Sequence, residues 1–122
     1  GSGVVLIVED GESVRSLAAR ALGAAGYETI VADDGQAGLD LLASRRGRAD
    51  LVLTDLVMPR MGGKELGEEV GRLWPGLPVL YMSGYTDDDV VLRGLVRPDA
   101  PFVAKPFTPD LLAARVRETL GG

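Results

Sequence analysis

Hydrophobic and polar positions alternate between two rhythms along this chain. Val4-Val5-Leu6-Ile7-Val8 is a continuous apolar run rich in β-branched residues, the pattern of a strand buried on both faces. Glu9-Asp10-Gly11-Glu12 ends it. Val14, Leu17, Ala18, Ala21, Leu22 and Ala25 then recur at i, i+3, i+4, i+7, i+8 and i+11, one face of an amphipathic helix, and Gly26 supplies its stop. Glu28 to Ala32 reads as a second, less apolar strand nearer a sheet edge. Asp34 is placed to cap a helix with Gly38, Leu39 and Leu42 on its core side, ending around Arg45 to Gly47.

The same alternation continues to the end. Leu51 to Thr54 is a third strand. Leu66, Val70 and Leu73 mark a third helix, broken by Trp74-Pro75-Gly76. Pro78 to Met82 is a fourth strand. Thr86 is placed to cap a short helix through Asp87 to Arg93, ended by Gly94, and an irregular stretch runs to Pro101. Phe102-Val103-Ala104 is a fifth strand. Thr108-Pro109-Asp110 combines an N-cap, a proline at the first helical position and an acid in the first turn, opening a helix with Leu111, Leu112, Val116 and Leu120. Five strand–helix units in succession predict an α/β fold with a parallel sheet between two helical layers and right-handed crossovers. The expected topology is the flavodoxin-like doubly wound (βα)5 sheet, strand order 2-1-3-4-5.

Composition narrows the chemistry. At 122 residues the chain is one domain's length, with residues 4–122 expected to form a single unit and Gly1-Ser2-Gly3 expected to be a cloning remnant. It has no cysteine and no histidine, which excludes disulfides, thiolate metal sites and histidine chemistry. The net charge of −5 carries no basic patch beyond Arg45-Arg46-Gly47-Arg48, read as cations at a helix C-terminus, so no nucleic-acid partner is expected. Neither a signal peptide nor a membrane-length apolar run is visible, so a cytoplasmic location without membrane contact is expected.

In an open α/β sheet, ligands bind outside the carboxyl ends of the strands. Glu9 and Asp10 follow strand one, Asp55 follows strand three, Ser83 strand four and Lys105 strand five. In the expected order these four strands are adjacent, so their loops can converge. Asp33 and Asp34 follow the edge strand and read as turn and cap residues. Three carboxylates in one pocket repel one another, and a hard divalent cation removes the conflict. Mg2+ suits carboxylate, carbonyl and water oxygens, and three carboxylates, one lysine and one Mg2+ are together neutral. Lys105 and Ser83 are donors for an anion's oxygens, and Asp55 is a candidate nucleophile for aspartyl-phosphate chemistry. Phosphatases with an aspartate nucleophile generally carry a second acid two residues on. That position here is Val57, so the expectation is a phosphoaspartate that forms and persists.

Val8-Glu9-Asp10, Thr54-Asp55-Leu56-Val57-Met58-Pro59 with Gly63 beyond, Met82-Ser83-Gly84 and Lys105-Pro106-Phe107 together resemble the receiver domain of two-component response regulators, over essentially the whole chain. The resemblance implies Asp55 as phosphoacceptor. It implies Glu9, Asp10 and the Val57 backbone carbonyl as Mg2+ ligands beside Asp55. It further implies Ser83 as the switch hydroxyl, Lys105 as the phosphate-pairing lysine with a cis bond to Pro106, and Phe102 as the aromatic that turns inward on activation. The acidic pair is Glu-Asp where many receivers have Asp-Asp, and a phenylalanine at the switch has no hydroxyl. Met82 to Asp88 with Lys105-Pro106-Phe107-Thr108-Pro109 looks more specifically like receivers at the C-terminus of hybrid sensor histidine kinases, with no output domain expected after Gly122. A stand-alone regulator would read nearly the same.

The implied function is acceptance of a phosphoryl group from the phosphohistidine of a histidine kinase or histidine phosphotransfer domain, or slowly from a small phosphodonor. The surface of helix four, strand five and helix five then changes, and that surface is also the implied homodimer face. Two other classes compete. A degenerate receiver would be an interaction module without phosphorylation, but such domains typically lose an acid or the lysine. A flavin protein would want hydroxyls and amides, not acids, after strand one, and fold alone does not choose between functions.

Overall fold

The computed structural model describes residues 2–58, 60–84 and 87–121. Pro59, Tyr85 and Thr86, and with Thr86 its expected capping role, lie outside the described residues. Ten elements alternate: β1 (Val4–Val8), α1 (Glu12–Ala24), β2 (Glu28–Ala32), α2 (Gly35–Ser44), β3 (Leu51–Asp55), α3 (Gly63–Leu73), β4 (Val79–Ser83), α4 (Asp87–Leu92), β5 (Phe102–Ala104) and α5 (Pro109–Thr119). All strands are parallel, in the order β2-β1-β3-β4-β5.

Strand pleating explains why the continuous apolar runs were needed. Val5 and Ile7 of β1 point to one face, where α1 and α5 close a core containing Leu22 and Leu112. Leu6 and Val8 point to the other, against Leu42 of α2 and Leu66 and Val70 of α3. Each fully buried leucine or valine contributes on the order of 1.5–3 kcal/mol. β2 lies at the edge, as its weaker apolar character predicts, and Val31 is 46% exposed.

Local chemistry ends and begins the helices. Gly26 follows α1 with φ 101°, a conformation glycine adopts without steric cost. The Asp34 carboxylate accepts the Ala37 N–H at 2.8 Å and caps α2. Thr108 caps α5 by accepting the Leu111 N–H at 3.1 Å, with Pro109 opening the helix. Trp74 follows α3 at the end of the sheet remote from the strand carboxyl termini. Its indole packs over Gly47, where any Cβ would overlap the ring.

Three strand ends differ from the periodicity. β3 continues through Asp55, which pairs with Met82, and β4 runs Val79–Ser83 where Pro78–Met82 was expected. Ladder pairing decides all three, with Ser83 pairing Ala104. Pro78 has no N–H to donate, yet its carbonyl accepts from Val52. Leu73, expected on the apolar face of α3, is exposed as the last residue of its helix, and Trp74 packs into that core in its place. No helix among the described residues is long and apolar enough to cross a membrane.

Candidate functional site

α1 and α3, the helices that follow β1 and β3, lie on opposite faces of the sheet, so the chain leaves these two strands in different directions and opens a crevice at their carboxyl ends. Glu9, Asp10 and Asp55 meet there. One carboxylate oxygen from each lies within 4.8 Å of the others. Glu9 is buried immediately beyond β1. Its Oε2 accepts the Gly11 N–H at 2.9 Å and its Oε1 accepts from Lys105 Nζ at 2.7 Å. Arg15, on the first turns of α1, donates to the Glu9 carbonyl at 2.9 Å, so Glu9 is held through both its backbone and its side chain.

Asp55 is the buried last residue of β3. Its Oδ1 accepts the Leu56 N–H at 3.0 Å and its Oδ2 lies 3.2 Å from Lys105 Nζ. Beneath it, the first residue of α3 is Gly63, where a Cβ would overlap the Asp55 carbonyl oxygen. The Gly63 N–H donates to the Leu56 carbonyl at 3.0 Å, which draws α3 tightly under the strand end. Lys105 reaches in from beyond β5. Its own N–H donates to the Ser83 carbonyl at 2.8 Å, and its peptide bond to Pro106 is cis. Ser83 is buried at the end of β4, and Phe102, half-buried, opens β5 opposite Tyr81. Val57 stands in the turn after β3 with its side chain 59% exposed.

The charges are short of one cation. Burial pushes the Glu9 carboxyl above its usual range, outweighing the hydrogen bonds from Lys105 and Gly11, with Asp10 and Asp55 adding to the rise. Asp55 is raised for the same first reason, desolvation, against the pull of Lys105. Burial acts to lower Lys105, but the hydrogen bond to Glu9 and the charge of Asp55 outweigh it and hold its proton more tightly than usual. One lysine thus pairs with two of three clustered carboxylates. The donor set is entirely hard oxygen, and a carboxylate retains lone pairs after accepting one hydrogen bond per oxygen. Glu9, Asp10 and Asp55 therefore fit a Mg2+-sized cation.

Every residue singled out from the strand ends lies at this end of the sheet, while a groove of about 690 Å³ between α3 and the segment before β5 contains none of them. Two contacts went unread in the sequence. Arg15 had a faint signal, a cation near a helix N-terminus where the dipole disfavours it. The ion pair between Arg60 and the buried Asp34 had none, since its partners lie 26 residues apart.

The model of the response regulator receiver domain matches residues 5–117. The sensor kinase CckA of Brucella abortus is 35% identical over 98% of this chain, which spans 13% of that protein. The response regulator MprA of Mycolicibacterium vanbaalenii is 34% identical over 95% of this chain, which spans 49% of it. Among solved structures, the receiver domain of the hybrid histidine kinase CckA superposes with a TM-score of 0.81 at 35% identity, over 97% of this chain and 99% of that one. The chemotaxis protein CheY4 of Vibrio cholerae superposes with a TM-score of 0.85 at 27% identity, over 98% and 99%. By its strand order, its acidic strand ends and a family match over nearly its whole length, this chain belongs to the response regulator receiver domains of two-component signalling.

Proposed function

We propose that Asp55 accepts a phosphoryl group from the phosphohistidine of a histidine kinase or histidine phosphotransfer domain, in the cytoplasm. The observation that carries this reading is the Lys105 ammonium set between Glu9 and Asp55 in a cluster of three carboxylates. An Asp55 carboxylate oxygen attacks phosphorus. The P–N bond breaks, and the imidazole leaves with the electron pair. Lys105 pairs with the phosphoryl oxygens, and the Ser83 hydroxyl donates to another. Glu9, Asp10, Asp55 and the Val57 backbone carbonyl would hold Mg2+. When bound, Mg2+ neutralises charge building on the transferring phosphoryl oxygens.

The new charge on Asp55 draws Ser83 and Lys105 towards it, and Phe102 turns into the space Ser83 leaves. Ser83 and Lys105 are already joined through backbone, so movement at either carries β4 and β5 with it. The α4-β5-α5 surface is the readout, and exposed Val91, Leu92 and Leu111 support a homodimer face there. The likeness to the CckA kinase supports an origin in a hybrid histidine kinase. Val57 offers neither charge nor hydrogen bond to an attacking water, so the phosphoaspartate is long-lived. Tyr85, the other residue expected on that water path, lies outside the described residues.

Incubation with Mg2+ and acetyl phosphate should add one phosphoryl group, measured by intact mass, and Asp55→Asn should abolish it. Label persisting in Asp55→Asn would overturn the assignment. A wild-type chain that takes up none from acetyl phosphate or a phosphorylated histidine partner would favour an interaction module without phosphorylation. Val57→Asn should shorten the phosphoryl lifetime, and an unchanged decay rate would remove Val57 from the account.

A further inference from the structure

The β2–α2 turn carries no residue of the carboxylate cluster, yet it is tied to both loops that do. The Glu9 N–H donates to the Ala32 carbonyl at 3.1 Å, which joins the β1–α1 loop to the end of β2. The Gly35 N–H donates to the Met61 carbonyl at 3.1 Å, which joins the β3–α3 loop to the start of α2. That approach is so close that a Cβ on Gly35 would overlap the Met61 carbonyl oxygen. Between these ties sits the Asp34 carboxylate, with a side chain only 2% exposed. One of its oxygens caps α2 and the other accepts from the Arg60 guanidinium.

Arg60 belongs to the β3–α3 loop, three residues beyond Val57. Its φ is 65°, in the left-handed region that residues other than glycine adopt at a cost. Its side chain is 72% exposed, so packing does not hold it in place. The buried Asp34 carboxylate gives this exposed arginine a fixed partner across the two loops. Capping alone would use one Asp34 oxygen. The second oxygen spends a buried charge on a loop of another strand.

We propose that Asp34 and Arg60 are positioning residues for the metal site: their ion pair braces the β3–α3 loop against the N-terminus of α2. It thereby fixes the backbone that runs from Asp55 through Val57. The inference rests on the reading of Glu9, Asp10, Asp55 and the Val57 carbonyl as Mg2+ ligands. Residues that orient ligands from outside the coordination sphere typically change metal affinity tenfold or more. A brace acting through the loop backbone should cost about threefold to tenfold.

Charge alone makes the opposite prediction, which gives a clean test. Removing a cation near the site should strengthen Mg2+ binding by simple electrostatics, and removing both partners should leave it near the wild-type value. The experiment is a titration of the unphosphorylated chain with Mg2+ alone, followed by NMR amide shifts, for wild type, Arg60→Ala, Asp34→Asn and the double variant. Asparagine retains the capping oxygen, so α2 stays capped. The brace predicts a dissociation constant raised about threefold to tenfold in Arg60→Ala and in the double variant alike. Affinity that is unchanged or improved in Arg60→Ala, or restored in the double variant, overturns the brace. Failure of the wild-type chain itself to bind Mg2+ overturns the metal site, and the brace with it.

Discussion

On one side of Asp55, β1 and β3 pair over four positions, β3 is buried throughout, and glycine-tight contacts clamp the loops that follow. On the other side, β4 and β5 pair over three positions, and the intervening helix α4 has six residues. Of the described α4 side chains only Val90 is buried, and Leu92 is 83% exposed. Burial is what makes a segment costly to open, so the two sides differ in local stability as well as in shape. The first is suited to hold ions and a nucleophile at fixed distances. The second has little to lose by shifting, as the reporting surface proposed above requires. Lys105 joins the two, since its ammonium faces Glu9 and Asp55 while its backbone is tied to Ser83.

The largest effect should come from cutting that joint. Lys105→Met leaves the buried Glu9 and Asp55 without their shared cation, and phosphorylation by acetyl phosphate should slow at least ~100-fold, followed by intact mass. A rate within a few-fold of wild type would mean that the lysine only balances charge. Next, Gly63→Ala forces a methyl group into the Asp55 carbonyl and within 3.0 Å of the Leu56 Cα. Neither obstacle can rotate away, so urea unfolding should show a loss of about 3 kcal/mol.

The matching change is Gly67→Ala, in the middle of α3 where the helix faces β4 of the other side. There the obstacle is the phenol tip of Tyr81, beside the open groove, and alanine gains about 1 kcal/mol in helix propensity. Stability should move by less than about 1 kcal/mol. If the two glycines cost the same, the contrast between the sides fails. The smallest effect belongs to Leu92→Ser, which should leave stability within about 0.5 kcal/mol in the same assay. A larger loss would show that α4 is packed more firmly than its exposure indicates.

Much of this was written locally. Five apolar runs, each followed by a helical period, determine element type, while right-handed crossovers narrow the strand orders to a few, of which the flavodoxin-like one is found. The cluster is legible because each of its members lies at or just beyond the carboxyl end of a strand, and parallel strands deliver those ends to one edge. What stayed hidden depends on partners that meet only in the fold. Asp34 reads as a cap from the sequence, and it is one, but its second oxygen faces a residue 26 positions away. The sequence places the end of β3 one residue short because an aspartate argues against strand, while ladder pairing with Met82 outweighs that preference. Leu73 satisfied the helical period and is exposed nonetheless, because periodicity does not say where a helix leaves its core.

Trp74 sits beyond α3 against Gly47, at the far end of the sheet from Asp55, and it is the only tryptophan in the chain. Its fluorescence is therefore an intrinsic gauge of whether the domain is folded, and phosphorylation chemistry at the opposite end should leave its emission unchanged. Stability and signalling can be followed in one sample without an added label, the first by indole emission and the second by mass.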